Sequence, residues 1–236
     1  MTPGKRILDN LARFRPAGFA QLNLFLGIIL LATPLRQERW LFGVLLQSMF
    51  LNALLVSLSA GDTQQRLRRA FLGMWTAGFV ANLGAMLASS VESARWWNIA
   101  TLSLAFVLLS GCTVVVLSYI FRSQRVTLEV ILAAVTVYLL IAFSFAAIYN
   151  IAFQFDFRSF RLPEWIEAGP AEVLRTEMLY FSLVTLATLG YGDILPSSPF
   201  TQMLAVVEAV IGQFFMAVLV AWLVGMFIYD NFAGKR

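Results

Sequence analysis

No histidine occurs among the 236 residues, and the single cysteine, Cys112, lies inside an apolar run. The first absence removes Ser–His and Cys–His nucleophile pairs, histidine metal sites and haem ligation together. The second leaves no disulfide framework and no cysteine metal-ligand spacing. Charge is scarce as well: Asp, Glu, Lys and Arg make up 13% of the chain, against about 25% in soluble domains. With 60% hydrophobic residues and a mean hydropathy of +0.79, this much apolar side chain needs a bilayer as its solvent. No stretch between the apolar segments is long enough to build a separate soluble core. The pI near 9.6 reflects Lys and Arg scattered at membrane edges, and nucleic acid is not expected as a partner.

What the chain does have is long apolar runs. Six stretches, at residues 19–35, 40–60, 70–90, 97–121, 126–153 and 200–229, are read as spanning helices, judged against the roughly 20 residues a span needs. Basic residues precede the first stretch, but no small-residue cleavage site follows it cleanly, so it is expected to stay as a helix. Orientation follows from Lys and Arg. Eleven fall on one side (Lys5, Arg6, Arg13, Arg15, Arg66, Arg68, Arg69, Arg122, Arg125, Lys235, Arg236) and six on the other (Arg36, Arg39, Arg95, Arg158, Arg161, Arg175). The richer side, with both termini, is expected to be cytoplasmic. Trp40, Trp96, Trp97 and Trp165 then fall at outer edges, as an interfacial aromatic belt requires. In the third stretch Gly73, Ala77, Ala81, Ala85 and Ser89 form a small-residue stripe that predicts close helix packing. Gln47 and Asn82 lie at similar depth and are expected to share a hydrogen bond.

One apolar segment is too short to span. TEMLYFSLVTLAT, residues 176–188, suits a re-entrant half-helix better than a crossing. Thr176 reads as its N-cap, with Glu177 in the first turn. The run TLGYGD follows, and glycine continues a helix poorly. Extended backbone at membrane depth is tolerated only where protein buries it or it lines an aqueous cavity. Gly190 and Gly192 accept positive φ without a Cβ clash. Alternated with Leu189 and Tyr191, they could aim successive carbonyl oxygens in one direction, with the Thr188 carbonyl and hydroxyl at the inner end. Four such strands around an axis would make stacked oxygen cages that replace a cation's water shell.

T-L-G-Y-G-D behind an apolar half-helix resembles the filter signature of tetrameric potassium channels, usually T-V-G-Y-G. The resemblance is strong over residues 176–230, loose over the fifth stretch, and for the first four helices it is one of number and order. It implies an all-α membrane protein with six transmembrane helices, a re-entrant pore helix and a selectivity filter between helices five and six. The implied domains are a cytoplasmic N-terminus (1–18), a four-helix sensor-like domain (19–121), a pore domain (126–230) and a cytoplasmic tail (231–236). By the same resemblance Thr188, Leu189, Gly190, Tyr191 and Gly192 carry the K+ sites. Asp193 sits behind the filter mouth, bonded to Tyr180, a position more often tryptophan in that family. Gly212 falls where such channels often carry a hinge glycine, and Gln213, Met216, Val220 and Val224 map to the cavity-lining stripe. One loop per chain implies a homotetramer in membrane lipid, passing K+ with no cofactor and no chemical step. The short loops point to a prokaryotic inner membrane. A non-conducting scaffold or accessory subunit built on the same fold is the alternative.

The letters G-Y-G-D also fit an intramembrane aspartyl protease motif, and Tyr229–Asp230 could supply the second aspartate. That chemistry needs two carboxylates about 3 Å apart. A helix of roughly thirty residues separates them here and covers about 45 Å, so the protease reading fails on geometry.

Six helices with the pore between the last two resemble the voltage-gated architecture. Its fourth helix, however, carries arginines, whereas residues 97–121 carry no charge, and Arg122 and Arg125 lie past their cytoplasmic end. One charge crossing the field contributes about 2.3 kcal/mol per 100 mV, so steep voltage gating is not expected. No C-terminal gating module is expected beyond the sixth helix. Glu208 is the one carboxylate well inside a span, hence a functional candidate. It lies about 140° around the helix from Gln213 and should face the pore helix near Ser182 or Thr185. There it would support the filter or sense protons.

Overall fold

The structure is a computed structural model that describes residues 17–32, 65–87, 90–123, 125–164, 171–219, 221–222, 224–226 and 228. The expected second span with Trp40 and Gln47, and also Trp165, Ser89 and Val220, lie outside these residues, as do both terminal segments. The described chain is mostly helical: α1 (Ala17–Ala32), α2 (Gln65–Leu87), α3 (Val91–Arg122), α4 (Leu128–Phe155), α5 (Ala171–Leu186) and α6 (Pro199–Phe214), the last running into a π-helical turn at Phe215–Leu219. Two short strands, β1 (Phe160–Arg161) and β2 (Leu195–Pro196), pair antiparallel, Phe160 opposite Pro196 and Arg161 opposite Leu195.

Among the described residues three helices are long and apolar enough to cross a membrane: Glu92–Arg122, Leu128–Phe155 and Pro199–Met226. Their starts are set by local chemistry. Ser90 accepts from the Ser93 amide, and Ser93 reaches back to the Ser90 amide, so α3 opens on a capping box six residues before its apolar run. Thr127 caps α4 with Glu129 in the first turn, and Ser198 caps α6 with proline following it. The centre of the molecule is α4. α1, α3 and α5 all pack on it, and Val130, Ala133, Val137, Leu140 and Phe143 are buried in the shared core with Leu22, Leu26, Leu109 and Val116. By contrast only 18% of the apolar window of α6 is buried within the chain.

Two expectations are corrected here. The small-residue stripe of α2 is its packing seam only in part among the described residues: Ala81 is buried, but Gly73 has open space and Ala77 is exposed. Off that stripe, α2 meets α3 through Gly78, which faces Leu104, and Gly84, which lies under the Trp97 ring. A four-residue stripe and a six-residue pair of glycines share helical neighbours, and Trp97 decides between them because its ring needs the room that Gly84 leaves. Thr176, in turn, is not the N-cap of α5. That helix begins at Ala171, and Thr176 and Glu177 are buried within it. Four of the five residues at 171–175, Ala171, Glu172, Leu174 and Arg175, are strong helix formers, so helix starts before the apolar run does.

Candidate functional site

The C-terminus of α5 is where the backbone departs from ordinary geometry. The Thr188 amide donates to Thr185 O (2.9 Å) and the Leu189 amide to Val184 O (2.9 Å), the paired bonds of a Schellman motif. Its left-handed position, normally glycine, is filled by Thr188 at φ 58°. A β-branched residue there is a genuine outlier that costs roughly 1–2 kcal/mol and persists only where its surroundings hold it. Gly190 at φ 58° and Gly192 at φ 79° follow. Left-handed φ thus recurs at every second residue from 188 to 192. Leu189 and Tyr191, between them, are not left-handed, and an alternation of this kind is what a strand lined by its own carbonyl oxygens requires.

Side chains around this strand fix its outer end. Tyr180, on α5, donates to Asp193 Oδ2 at 2.6 Å, and the Ile194 amide donates to Asp193 Oδ1 at 3.0 Å. The Tyr180 and Tyr191 rings stack at 6.5 Å. Further on, Ser159 O accepts from the Ser197 amide (2.8 Å), the Ser198 amide (3.3 Å) and Thr201 Oγ1 (2.9 Å). Together with the β1–β2 pair, this one carbonyl ties the strand's exit and the start of α6 to the segment after α4. Behind the strand Tyr149, Phe153, Phe160, Met178, Phe181 and Ile194 form a buried cluster. Within it the Tyr149, Phe160 and Phe181 rings meet edge to face at 5.1–5.6 Å, a favoured aromatic geometry. The strand itself is uncovered in a single chain: Leu189 is 57% exposed and Tyr191 66%.

At the inner end, Gln213 Nε2 reaches Thr188 Oγ1 at 3.5 Å. Gly212 is buried, and a Cβ placed there would overlap the Leu186 carbonyl oxygen. Glycine at 212 therefore lets α6 touch the end of α5, while the helical irregularity begins three residues later at Phe215. Gln213, Met216 and Val224 are exposed on the same chain.

Glu208 is fully buried between three helices. It accepts from Tyr149 of α4 at 2.6 Å and is hydrogen-bonded to Ser182 of α5, whose hydroxyl also lies 2.8 Å from Ala142 O of α4. Tyr149 is the site residue that sequence reasoning missed. The signal was a buried carboxyl in need of a second donor, and tyrosine is a donor that an apolar helix can carry. The left-handed Thr188 was also missed, because threonine is not a residue from which positive φ is read. Among the described residues no group of three or more Cys, Asp and Glu side chains is placed to hold a metal ion.

Comparison with known proteins meets this geometry in the same half of the chain. Residues 126–229 match the family Ion_trans_2, described as ion channel, a stretch somewhat under half of the chain. Two curated relatives are similar over shorter stretches. Two-pore potassium channel 5 of Arabidopsis thaliana is 44% identical over 48 residues, 20% of this chain and 12% of that protein. Two pore potassium channel c of Oryza sativa subsp. japonica is 39% identical over 57 residues, 24% of this chain and 12% of that protein. The chain thus matches only about an eighth of the length of either relative. No solved structure matches it.

Proposed function

We propose that this protein is one subunit of a homotetrameric, potassium-selective channel, with Thr188, Leu189, Gly190, Tyr191 and Gly192 as the ion-binding filter. The observation that carries this reading is the alternation of left-handed φ at Thr188, Gly190 and Gly192 on a strand that a helix too short to span delivers into the membrane. Such backbone needs either burial or a hydrated ion path. In a single chain it has neither, since 187–193 are all exposed. Four copies around an axis supply the path and cover the strand. The same assembly would cover the open face of α6, where Val206, Val210 and Phe214 are exposed, and would turn Gln213, Met216 and Val224 toward a central cavity.

In this reading α5 is a re-entrant pore helix, Tyr180 and Asp193 hold the filter's outer end, and Glu208 supports it from behind. Both termini lie in the cytoplasm. Conduction is passive and weakly voltage-dependent, because α3 carries no charge between Trp96 and Arg122. The kinship of 126–229 with ion channels and the names of the two plant relatives support the class; the filter geometry supports the ion. The test is a planar-bilayer recording of purified protein with potassium on one side and sodium on the other. A reversal potential far toward potassium is expected. Reversal near zero would remove the selectivity, and silence across lipids and pH would favour an accessory subunit.

A further inference from the structure

The cluster around Glu208 has a proton count that only one protonation state satisfies. Ser182 has a single hydroxyl proton and two acceptors in reach, Ala142 O and Glu208 Oε1. The carbonyl has no proton to give. With Glu208 ionised, that one proton can occupy only one of the two contacts, and the other becomes an approach of two oxygens at hydrogen-bonding distance with no proton between them, although Ala142 O keeps the Ala146 amide of its own helix. With the proton on Oε1, every group is satisfied. Glu208 then donates to Ser182, Ser182 donates to Ala142 O, and Tyr149 donates to Oε2.

Charge points the same way. Residues 128–155, 176–186 and 199–219, which surround the site, contain no Lys, Arg or His, and the one cation of α5, Arg175, lies seven residues before Ser182, about 10 Å along the helix. The ionisable groups they bring toward Glu208 are Tyr138 and Tyr149 from α4. Glu129 and Glu177 lie further along α4 and α5, and Tyr180 lies near the filter mouth. Any of these would add negative charge if ionised, and none could compensate a carboxylate. A buried, unpaired carboxylate is far costlier than a hydrogen-bonded neutral acid.

We propose that Glu208 is a neutral carboxylic acid that donates to Ser182, and that Glu208, Ser182, Tyr149 and the Ala142 carbonyl form a proton-carrying clasp fixing the pore helix to its outer neighbour. Its functional consequence rests on the channel reading above. Ser182 lies on the helix that delivers Thr188. Loss of the proton at alkaline pH turns the Ser182 hydroxyl to the carboxylate, releases Ala142 O and loosens the helix that aims the filter. Glutamine at 208 reproduces the neutral acid, its amide donating to Ser182 and its oxygen accepting from Tyr149, but cannot ionise.

Two measurements test this, one of them independent of conduction. Infrared difference spectra of purified wild type against Glu208→Gln should show the carbonyl stretch of a protonated carboxyl at neutral pH, shifting in deuterated water and vanishing at alkaline pH. Potassium flux into vesicles should fall several-fold over that alkaline range in wild type, while the flux of Glu208→Gln, whatever its level, stays flat with pH. A folded wild type lacking the band, or identical pH profiles in the two proteins, overturns the clasp. A band in protein that never conducts upholds the proton and refutes the channel reading instead. Should Glu208→Gln fail to assemble, Ser182→Ala is the second probe. Deleting the acceptor must raise the frequency of the band, and an unmoved band overturns the proposal.

Discussion

The hydroxyls of α3 and those of residues 126–229, the pore half in the reading proposed above, spend their hydrogen bonds differently. In α3, Thr101, Ser103, Thr113 and Ser118 each donate to the carbonyl four residues back on their own helix, at 2.8–2.9 Å. In the pore half, Thr136 and Ser144 also reach back on their own helix, but Tyr149 reaches Glu208, Ser182 reaches Ala142 O, Tyr180 reaches Asp193 and Thr201 reaches Ser159 O. The latter bonds join different elements. α3 is therefore held mainly by shape, apart from the bond that Tyr119 gives Glu129 of α4 at 3.5 Å, and one apolar side chain of similar volume can replace another. The pore half is held by named pairs at fixed positions, so its geometry is specified residue by residue. That is the organisation expected where a backbone strand must be kept in a costly conformation.

The largest effect should come from Gly212→Val. A Cβ at 212 overlaps the Leu186 carbonyl oxygen, and backbone cannot rotate aside as a side chain does. Overpacking usually costs about 1–3 kcal/mol and sometimes more, and here it separates α6 from the end of α5. Loss of both tetramer and potassium flux is expected, read by gel filtration in detergent and by vesicle uptake. A conducting Gly212→Val tetramer would break the contrast at its strongest point.

Tyr149→Phe should come next. It keeps the aromatic contacts with Phe160 and Phe181 but removes the donor to Glu208. Bonds between membrane helices average about 0.6 kcal/mol. This one should exceed that, at about 1–3 kcal/mol, because the carboxyl oxygen it abandons is fully buried. Thermal unfolding in detergent measures it, and an unchanged midpoint would place Glu208's support elsewhere.

Much of the pore half was legible because its chemistry leaves few alternatives. TLGYGD puts two glycines where the structure has positive φ, and a carboxyl inside an apolar helix had to find a partner, so Glu208 pointed at α5. Pairings that depend on rotation between helices were not legible. Nothing in the spacing of Tyr149 selects it over Tyr138, which sits on the same helix, until α4 and α6 are placed side by side. The N-terminus of α5 was misjudged because apolarity was taken for helicity, and the seam of α2 because one stripe of small residues was weighed without the Trp97 ring that needs Gly84. Asn23 shows the same limit. It donates to Leu132 O at 2.9 Å and accepts from Thr136 at 2.9 Å, a polar link from α1 into α4 that no motif announces. Asn23→Leu should cost about 1 kcal/mol. Thr136 can turn its one proton to Leu132 O, 3.0 Å away, once Asn23 is gone, so the loss stays below that of Tyr149→Phe.

Ser118→Ala should do least, and the reason sharpens the contrast. The Ser118 hydroxyl bonds Val114 O, a carbonyl that the helix already pairs with the Ser118 amide in its regular ladder. Deleting the hydroxyl orphans nothing. Bonding back to the carbonyl four residues earlier slightly destabilises a helix, and alanine is the better helix former. The midpoint of thermal unfolding should therefore stay level or rise, within about 0.5 kcal/mol. If Ser118→Ala instead cost as much as Tyr149→Phe, the destination of a hydroxyl's hydrogen bond would not be what separates α3 from the pore half. The specificity of the filter region would then have to come from packing alone.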